Sequence, residues 1–268
     1  MNVRRWLGDL FSTLRSGPTA AGKVQPRHSL PEGHRVYAIG DIHGRLDLLT
    51  ALLAQIDDDD ARRAPMKTTL VFIGDLIDRG PQSAGVVAKV RALRTERDVR
   101  VIAGNHEEMF LRALEDDDVM RAFLRYGGRE TFMSYGLDEA AIRDMTFAEL
   151  RSAIFEAIPL EDLAFFRSLE AVFCIGDYAF VHAGIRPGLG LEDQSSNDLR
   201  WIREPFLSDQ RDHGVMVVHG HSITDAPDVQ GNRIGIDTGA YMTGRLTALA
   251  LEGGDRWFLV AHSPEQSS

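Results

Sequence analysis

The sequence predicts an α/β fold: two sheets packed face to face, helices outside, and a mainly helical cap inserted between the halves. Three observations lead there. From Arg35 the chain alternates apolar runs with helical segments three times over, the rhythm of strands joined by crossover helices. Each of those apolar runs stops at a glycine, and polar residues follow at once. The second half then turns to short apolar runs separated by turn residues, the pattern of strands that pair without long crossovers.

In chain order, residues 1–15 (MNVRRWLGDLFSTLR) carry Trp6, Leu7, Leu10, Phe11 and Leu14 on one helical face. Gly17, Pro18, Pro26, Pro31 and Gly33 make 16–33 a linker. Residues 1–33 therefore read as a basic amphipathic leader and linker, and 34–268 as the folded domain. Asp9 interrupts the only candidate signal-peptide core. A leader helix is the expectation, with membrane contact the lesser alternative. "RVYAIG", "TLVFIG" and "VRVIAG" are strands, each followed by a helix: "RLDLLTALLAQI", "SAGVVAKVRALRT" and "EEMFLRALED". About 108–170, rich in Leu, Ala, Met, Phe, Arg and Glu at helical spacing, is the cap expected against the strand ends. "AVFCIGDYAFVHAG" is a hairpin turning at Gly176–Asp177. "GVMVVHGH", "NRIGIDTG", "LTALALEG" and "RWFLVA" then supply a second, largely antiparallel or mixed sheet. The runs Asp57–Asp60 and Asp116–Asp118 read as solvated helix ends or loops.

Composition narrows the function. With 268 residues, 44% of them hydrophobic and 26% charged, the chain is ordinary globular protein. No apolar run approaches the ~18 residues of a membrane span. The single cysteine, Cys174, lies in an apolar run. That excludes a disulfide framework, predicts a buried thiol, and fits a cytoplasmic location. Residues 1–30 carry +4 of a net charge of −10, so the body is strongly acidic. Nucleic acid is not an expected partner, although a small basic pocket for one phosphate remains compatible.

The strand ends hold the chemistry: "GDIHGR" (Gly40–Arg45), "GDLIDRG" (Gly74–Gly80), "GNHEE" (Gly104–Glu108), "VHAG" (Val181–Gly184) and "HGHS" (His219–Ser222). Any one of them alone could be a capped turn or a core histidine. Five in order, each closing a strand and flanked by glycine, point to a metal site. Asp41, His43, Asp75, Asn105, His182 and His221 make a mixed oxygen and imidazole set suited to manganese, iron or zinc. Six ligands exceed the needs of one ion. Two divalent ions sharing Asp75 fit better, one with Asp41, His43 and Asp75, the other with Asp75, Asn105, His182 and His221. Such a pair activates a bridging water for in-line attack.

In these residues the chain resembles the phosphoprotein phosphatase branch of the calcineurin-like metallophosphoesterases, in its bacterial and phage-type serine/threonine phosphatases. "GDIHG", "GDLIDRG" and "GNHE" match that family's three signatures, and "VHAG" and "GHS" its later histidines. The resemblance runs from about Arg35 to the end. It implies a four-layer αββα sandwich and phosphoester hydrolysis by a dinuclear centre, with manganese expected and iron or zinc also suitable. It implies that His106 protonates the leaving oxygen, that Asp78 holds His106 charged, and that Arg79 grips the phosphoryl oxygens beside Asn105. It implies a second phosphate-gripping arginine in "LRWIREPF", where "W-x-R-E" selects Arg203 over Arg200; a salt bridge to Glu204 is the rival role for Arg203. It assigns Asp237 in "IDTGA" to structural support. His219 departs from the pattern, and is either a residue that orients a ligand or a polar replacement. The expected substrate is a phosphorylated protein or small phosphoester. The leading expectation is a serine/threonine protein phosphatase, the alternative a dinucleoside-polyphosphate hydrolase of the diadenosine tetraphosphate type, and a third reading a non-catalytic regulatory protein on the same fold.

Overall fold

A computed structural model describes residues 28–263. The helix expected over 1–15 and the linker up to residue 27 lie outside the described residues. The first half folds as β1 (His34–Ile39), α1 (Leu46–Ala61), β2 (Lys67–Phe72), α2 (Ser83–Glu96) and β3 (Asp98–Val101). The cap follows as α3 (Asn105–Ala113), α4 (Asp117–Phe123), a π-helical segment Leu124–Gly128, α5 (Arg129–Ser134), α6 (Glu139–Asp144), α7 (Phe147–Ala157) and α8 (Leu160–Arg167). The second half adds β4 (Phe173–Ile175), β5 (Tyr178–Phe180), α9 (Ser196–Trp201), β6 (Met216–His219), β7 (Asp228–Val229), β8 (Arg233–Gly235), α10 (Ala240–Thr243), β9 (Arg245–Glu252) and β10 (Asp255–His262).

These strands make two five-stranded mixed sheets, ordered β10-β9-β1-β2-β3 and β4-β5-β6-β8-β7. In the first, β1, β2 and β3 are parallel and β9 runs antiparallel to β1. In the second, β5, β6 and β8 are parallel, with antiparallel edges. Alternation along β1 divides the core. Val36 and Ala38 face the second sheet, where they meet a cluster with Phe180, Val218 and Ile234. Tyr37 and Ile39 face the helices, where they join Leu49 and Leu52 of α1 and Val87 and Val90 of α2. A third cluster, with Val181, Leu199 and Phe206, covers the outer face of the second sheet beneath α9. Helix, sheet, sheet and helix thus stack in the expected order.

Four expectations are corrected. The β9–β10 hairpin joins the first sheet, not the second, because β9 is apolar on both faces and fits between β10 and β1. Cys174 is exposed, since it lies in the outer strand of the edge hairpin β4–β5. Asp59 and Asp60 are not merely solvated: Asp59 accepts from Tyr37 Oη at 2.7 Å and Trp257 Nε1 at 3.1 Å, and Asp60 from the buried Arg35 at 2.5 Å. The cap does not lie wholly against the strand ends, since α5 and α8 pack beside α2. Phe110, Phe123, Phe132 and Phe166 join it to the helical layer; of the described cap only α3 and the Leu124–Gly128 segment line the cavity, and Thr131 of α5 reaches Asp78 behind it. No helix among the described residues is long and apolar enough to cross a membrane.

Candidate metal centre

Parallel pairing places the carboxyl ends of β1, β2 and β3 at one edge of their sheet, and those of β5 and β6 at one edge of the other. Asp41 and His43 follow β1, Asp75 follows β2, Asn105 and His106 open α3 after β3, His182 follows β5 and His221 follows β6. The backbone there is unusual. Among the described residues the non-glycines with left-handed φ are His43 (46°), Asp75 (50°), Asp78 (73°), Arg79 (68°) and His221 (63°). All five are residues the sequence singled out. Such conformations cost roughly 1–3 kcal/mol each and concentrate at functional sites.

Asp75 is the hub. Its Oδ2 lies 3.5 Å from His43 Nε2 and 3.9 Å from His106 Nε2, while its Oδ1 lies 3.4 Å from His182 Nε2. One carboxylate oxygen therefore faces each imidazole set. Two groups of convergent donors result, His43–Asp75–His106 and Asp75–His182–His221. Asn105 Oδ1 sits 2.9 Å from both His182 Nε2 and His221 Nδ1. The first group contains His106 where the sequence reading placed Asp41. Asp41 stands behind, its Oδ2 accepting from the His221 backbone N–H at 3.1 Å. Gly220 lies against the same carboxylate, and a Cβ there would strike Asp41 Oδ1.

The donor chemistry fits cations. His43 Nδ1 donates to the Ile77 carbonyl at 2.8 Å and His182 Nδ1 to the Ile73 carbonyl at 2.9 Å. A carbonyl can only accept, so both rings present the Nε2 lone pair to the site. Asp41 Oδ1 and His221 Nε2 are buried without any hydrogen-bond partner, which is costly unless something positive meets them. Burial pushes the Asp75 carboxyl up, but His182, His106, His43 and His221 together hold it well below the usual range. Burial, Asp237 and Asp75 push Asp41 well up. Burial pushes His221 down to about 3 and also lowers His182.

His106 differs from the other imidazoles. Its Nδ1 donates to Asp78 Oδ2 at 2.5 Å, and Thr131 Oγ1 donates to Asp78 Oδ1 at 2.5 Å. Burial lowers His106, but Asp75 and Asp78 outweigh it and leave the ring above its ordinary value. Arg79 reaches both sides, with Nη1 2.9 Å from His43 Nε2 and Nη2 3.0 Å from His106 Nε2. Its guanidinium stacks 4.7 Å over Tyr241. Arg203 and Arg79 line one cavity of about 610 Å³ with Asp41, Asp75, Asn105 and His106. Arg203 has no ion pair with Glu204 among the described residues. Arg200 instead turns to Glu108, at 3.7 Å.

His219 does not share the face of His221. The strand ends at His219, and the left-handed turn at His221 breaks the alternation. The His219 ring packs edge-on to Phe206 at 5.1 Å and lies 3.4 Å from Arg233. Asp237 accepts from the Gly239 N–H at 2.9 Å, next to Asp41, and so bears on the site through that neighbour. The sequence reading missed Glu107, whose carboxylate accepts from the backbone N–H groups of Asp75, Leu76 and Gly104 at 2.9, 2.7 and 2.8 Å. An acid three residues past the helix N-cap was the available signal. It also missed Glu108, which accepts from Trp201 Nε1 at 2.9 Å and ties α3 to α9.

The family model for calcineurin-like phosphoesterases matches residues 34–265. The chain is 30% identical over 228 residues to the asymmetrical bis(5'-nucleosyl)-tetraphosphatase PrpE of Anoxybacillus flavithermus, covering 79% of this chain and 88% of that one. It is 49% identical to the symmetrical bis(5'-nucleosyl)-tetraphosphatase of Yersinia enterocolitica over 71 residues, covering 26% of this chain and 22% of that one. The crystal structure of a provisionally assigned diadenosine tetraphosphatase superposes with a TM-score of 0.60 at 22% identity, covering 87% of this chain and 96% of that one.

Proposed function

We propose, on the premise that this chain belongs to the calcineurin-like phosphoesterase family, that it hydrolyses dinucleoside polyphosphates of the diadenosine tetraphosphate type. The observation that carries the reading is the 30% identity to an asymmetrical bis(5'-nucleosyl)-tetraphosphatase across 79% of the chain. The cavity supports it. Charged and metal-ligating groups line part of the wall, while Met109, Tyr126, Trp201, Leu207 and Ile223 line the rest, the mix a nucleotide needs.

In this reading Asp41, His43 and Asp75 hold one divalent ion, and Asp75, Asn105, His182 and His221 hold the other. When bound, the pair, manganese by preference with iron or zinc also suited to the donors, lowers the pKa of water and neutralises phosphoryl charge. Arg79 and Arg203 grip the phosphoryl oxygens, with Asn105 beside them. Asp78 keeps the His106 Nδ1 proton, so that Nε2 faces the cavity and hands its proton to the departing oxygen.

Steady-state turnover of diadenosine tetraphosphate and of a phosphoserine peptide by the manganese-loaded protein tests the reading. The expected result is a kcat/KM at least roughly 10-fold higher for the nucleotide. A preference for the peptide would replace this reading with the serine/threonine phosphatase.

The phosphate grip has its own test. Charge-assisted contacts are worth about 1.5–3 kcal/mol. Arg79→Ala and Arg203→Ala should each weaken inhibition by inorganic phosphate roughly 10- to 100-fold and keep bound metal. Weakened inhibition in Arg200→Ala with normal inhibition in Arg203→Ala would transfer the role to Arg200.

A further inference from the structure

We propose that the exposed ring of Tyr126 is the stacking platform for a nucleobase whose phosphate is held at Arg79; this rests on the nucleotide reading above. Tyr126 lies in the π-helical segment, where the backbone leaves helical geometry at Tyr126 (φ −94°, ψ 15°) and Gly127 (φ 109°, ψ 6°). That departure keys the cap to the phosphate-binding loop. The Arg79 backbone N–H donates to the Gly127 carbonyl at 3.0 Å. A Cβ on Gly127 would lie 2.7 Å from Arg79 Cγ, so this approach requires glycine. Tyr126 is therefore one residue from a backbone contact with Arg79.

Three aromatic side chains line the cavity: Tyr126, Trp201 and Tyr241. Two are engaged. Tyr241 carries the Arg79 guanidinium over its face and meets the edge of His43 at 5.2 Å. Trp201 gives its N–H to Glu108 and packs against His221 at 6.3 Å. Tyr126 is 56% exposed, and among the described residues its ring and hydroxyl have no partner. A single exposed tyrosine is ordinary on a protein surface. This one is set in a non-helical bulge, next to the glycine that bonds to Arg79, and lines the cavity of the phosphate-gripping residues.

The chemistry of the wall selects the occupant. Met109 of α3 also lines the cavity, and the acidic residues lining it are Asp41 and Asp75 at its metal end. A flat, uncharged ring suits the Tyr126 end. A nucleoside 5'-phosphate carries such a ring one sugar away from its phosphate. Base–aromatic stacking tolerates any base, since each has a π face, and strengthens binding roughly 5- to 150-fold.

The test compares AMP and ribose 5-phosphate as competitors of p-nitrophenyl phosphate hydrolysis by the manganese-loaded protein. The two share a phosphate and a sugar and differ by the base. Wild type should prefer AMP by roughly 5- to 150-fold. Tyr126→Ala should bring the two affinities together, and Tyr126→Phe should retain the preference, because the ring does the binding. An undiminished preference in Tyr126→Ala, or no preference in wild type, overturns the platform. Diadenosine tetraphosphate turnover is measured on the same preparations. A wild type that prefers AMP but leaves diadenosine tetraphosphate intact defeats the proposed function and retains the platform. A wild type that cleaves it while Tyr126→Ala keeps the AMP preference does the reverse.

Discussion

Asp75→Asn lowers hydrolysis by at least ~10³-fold, the upper end of what loss of one preorganised polar group costs, and lowers metal content at both positions. Asp75 offers one carboxylate oxygen toward His43 and His106 and the other toward His182. No other described carboxylate stands in both groups of convergent donors. The amide of asparagine keeps one oxygen but loses the charge, and one of its two ends becomes a donor. Asparagine is the informative replacement because it tolerates the left-handed backbone that Asp75 adopts at φ 50°. A loss caused by backbone collapse is thereby separated from a loss of ligand. Elemental analysis of the purified variant, beside its circular dichroism, reads the result. Full metal content with a retained rate would remove the shared-ligand arrangement.

His106→Asn separates proton delivery from metal binding. The variant should keep both metals and still be inhibited by inorganic phosphate. On an alkyl phosphate such as phosphoserine it should lose ~10²–10⁴-fold in rate, because a departing alkoxide needs a proton. On p-nitrophenyl phosphate the loss should be much smaller. Diadenosine tetraphosphate should behave like the aryl ester, since the group that departs is a nucleotide phosphate and a weak base. Asp78→Asn should follow the same order in milder form, as Asp78 Oδ2 accepts the His106 Nδ1 proton. Equal losses on all three substrates would exclude the acid role. Loss of a metal would make His106 a ligand, which its place beside His43 and Asp75 in the first donor group makes a real alternative outcome.

The site was the most legible part of the sequence, for a physical reason. A buried strand that ends on an ionisable residue between glycines breaks the rule that apolar runs give way to loops of no particular chemistry. The strand ends that carry Asp41, His43, Asp75, Asn105, His182 and His221 depart from it, each placing a polar or ionisable side chain close to a glycine, and the structure brings these residues together. The family resemblance of "W-x-R-E" selected Arg203 over Arg200, and Arg203 lines the cavity while Arg200 turns to Glu108. What stayed hidden depended on distant partners. Trp201 and Glu108 meet across 93 positions of sequence. The partner of β9 is β1, at the other end of the chain, and nothing local to "LTALALEG" names it. Asp59 looked solvated because Tyr37 and Trp257 lie far from it in sequence. The strand-end motifs speak of phosphoester chemistry and say little of the rest of the substrate, and the cavity is also lined by residues such as Tyr126 that lie outside those motifs.

The bond from the Arg79 N–H to the Gly127 carbonyl has a consequence for how such a protein can change. Of the residues from α4 to α8, Tyr126 is the one that lines the cavity. The helices beyond it, α6 to α8, are anchored mainly by apolar packing through Ile142, Leu150, Ile154, Leu163 and Phe166, with an ion pair from Arg91 of α2 to Asp162 of α8. Apolar packing accepts altered length and order more readily than a metal-ligand geometry does. Insertions, deletions or exchange of α6–α8 can therefore accumulate without moving a donor atom, as long as the Leu124–Gly128 segment keeps its seat. Selection for a new substrate has a region to work on that is set apart from the hydrolytic machinery, joined to its loop at Gly127 and, through Thr131, at Asp78.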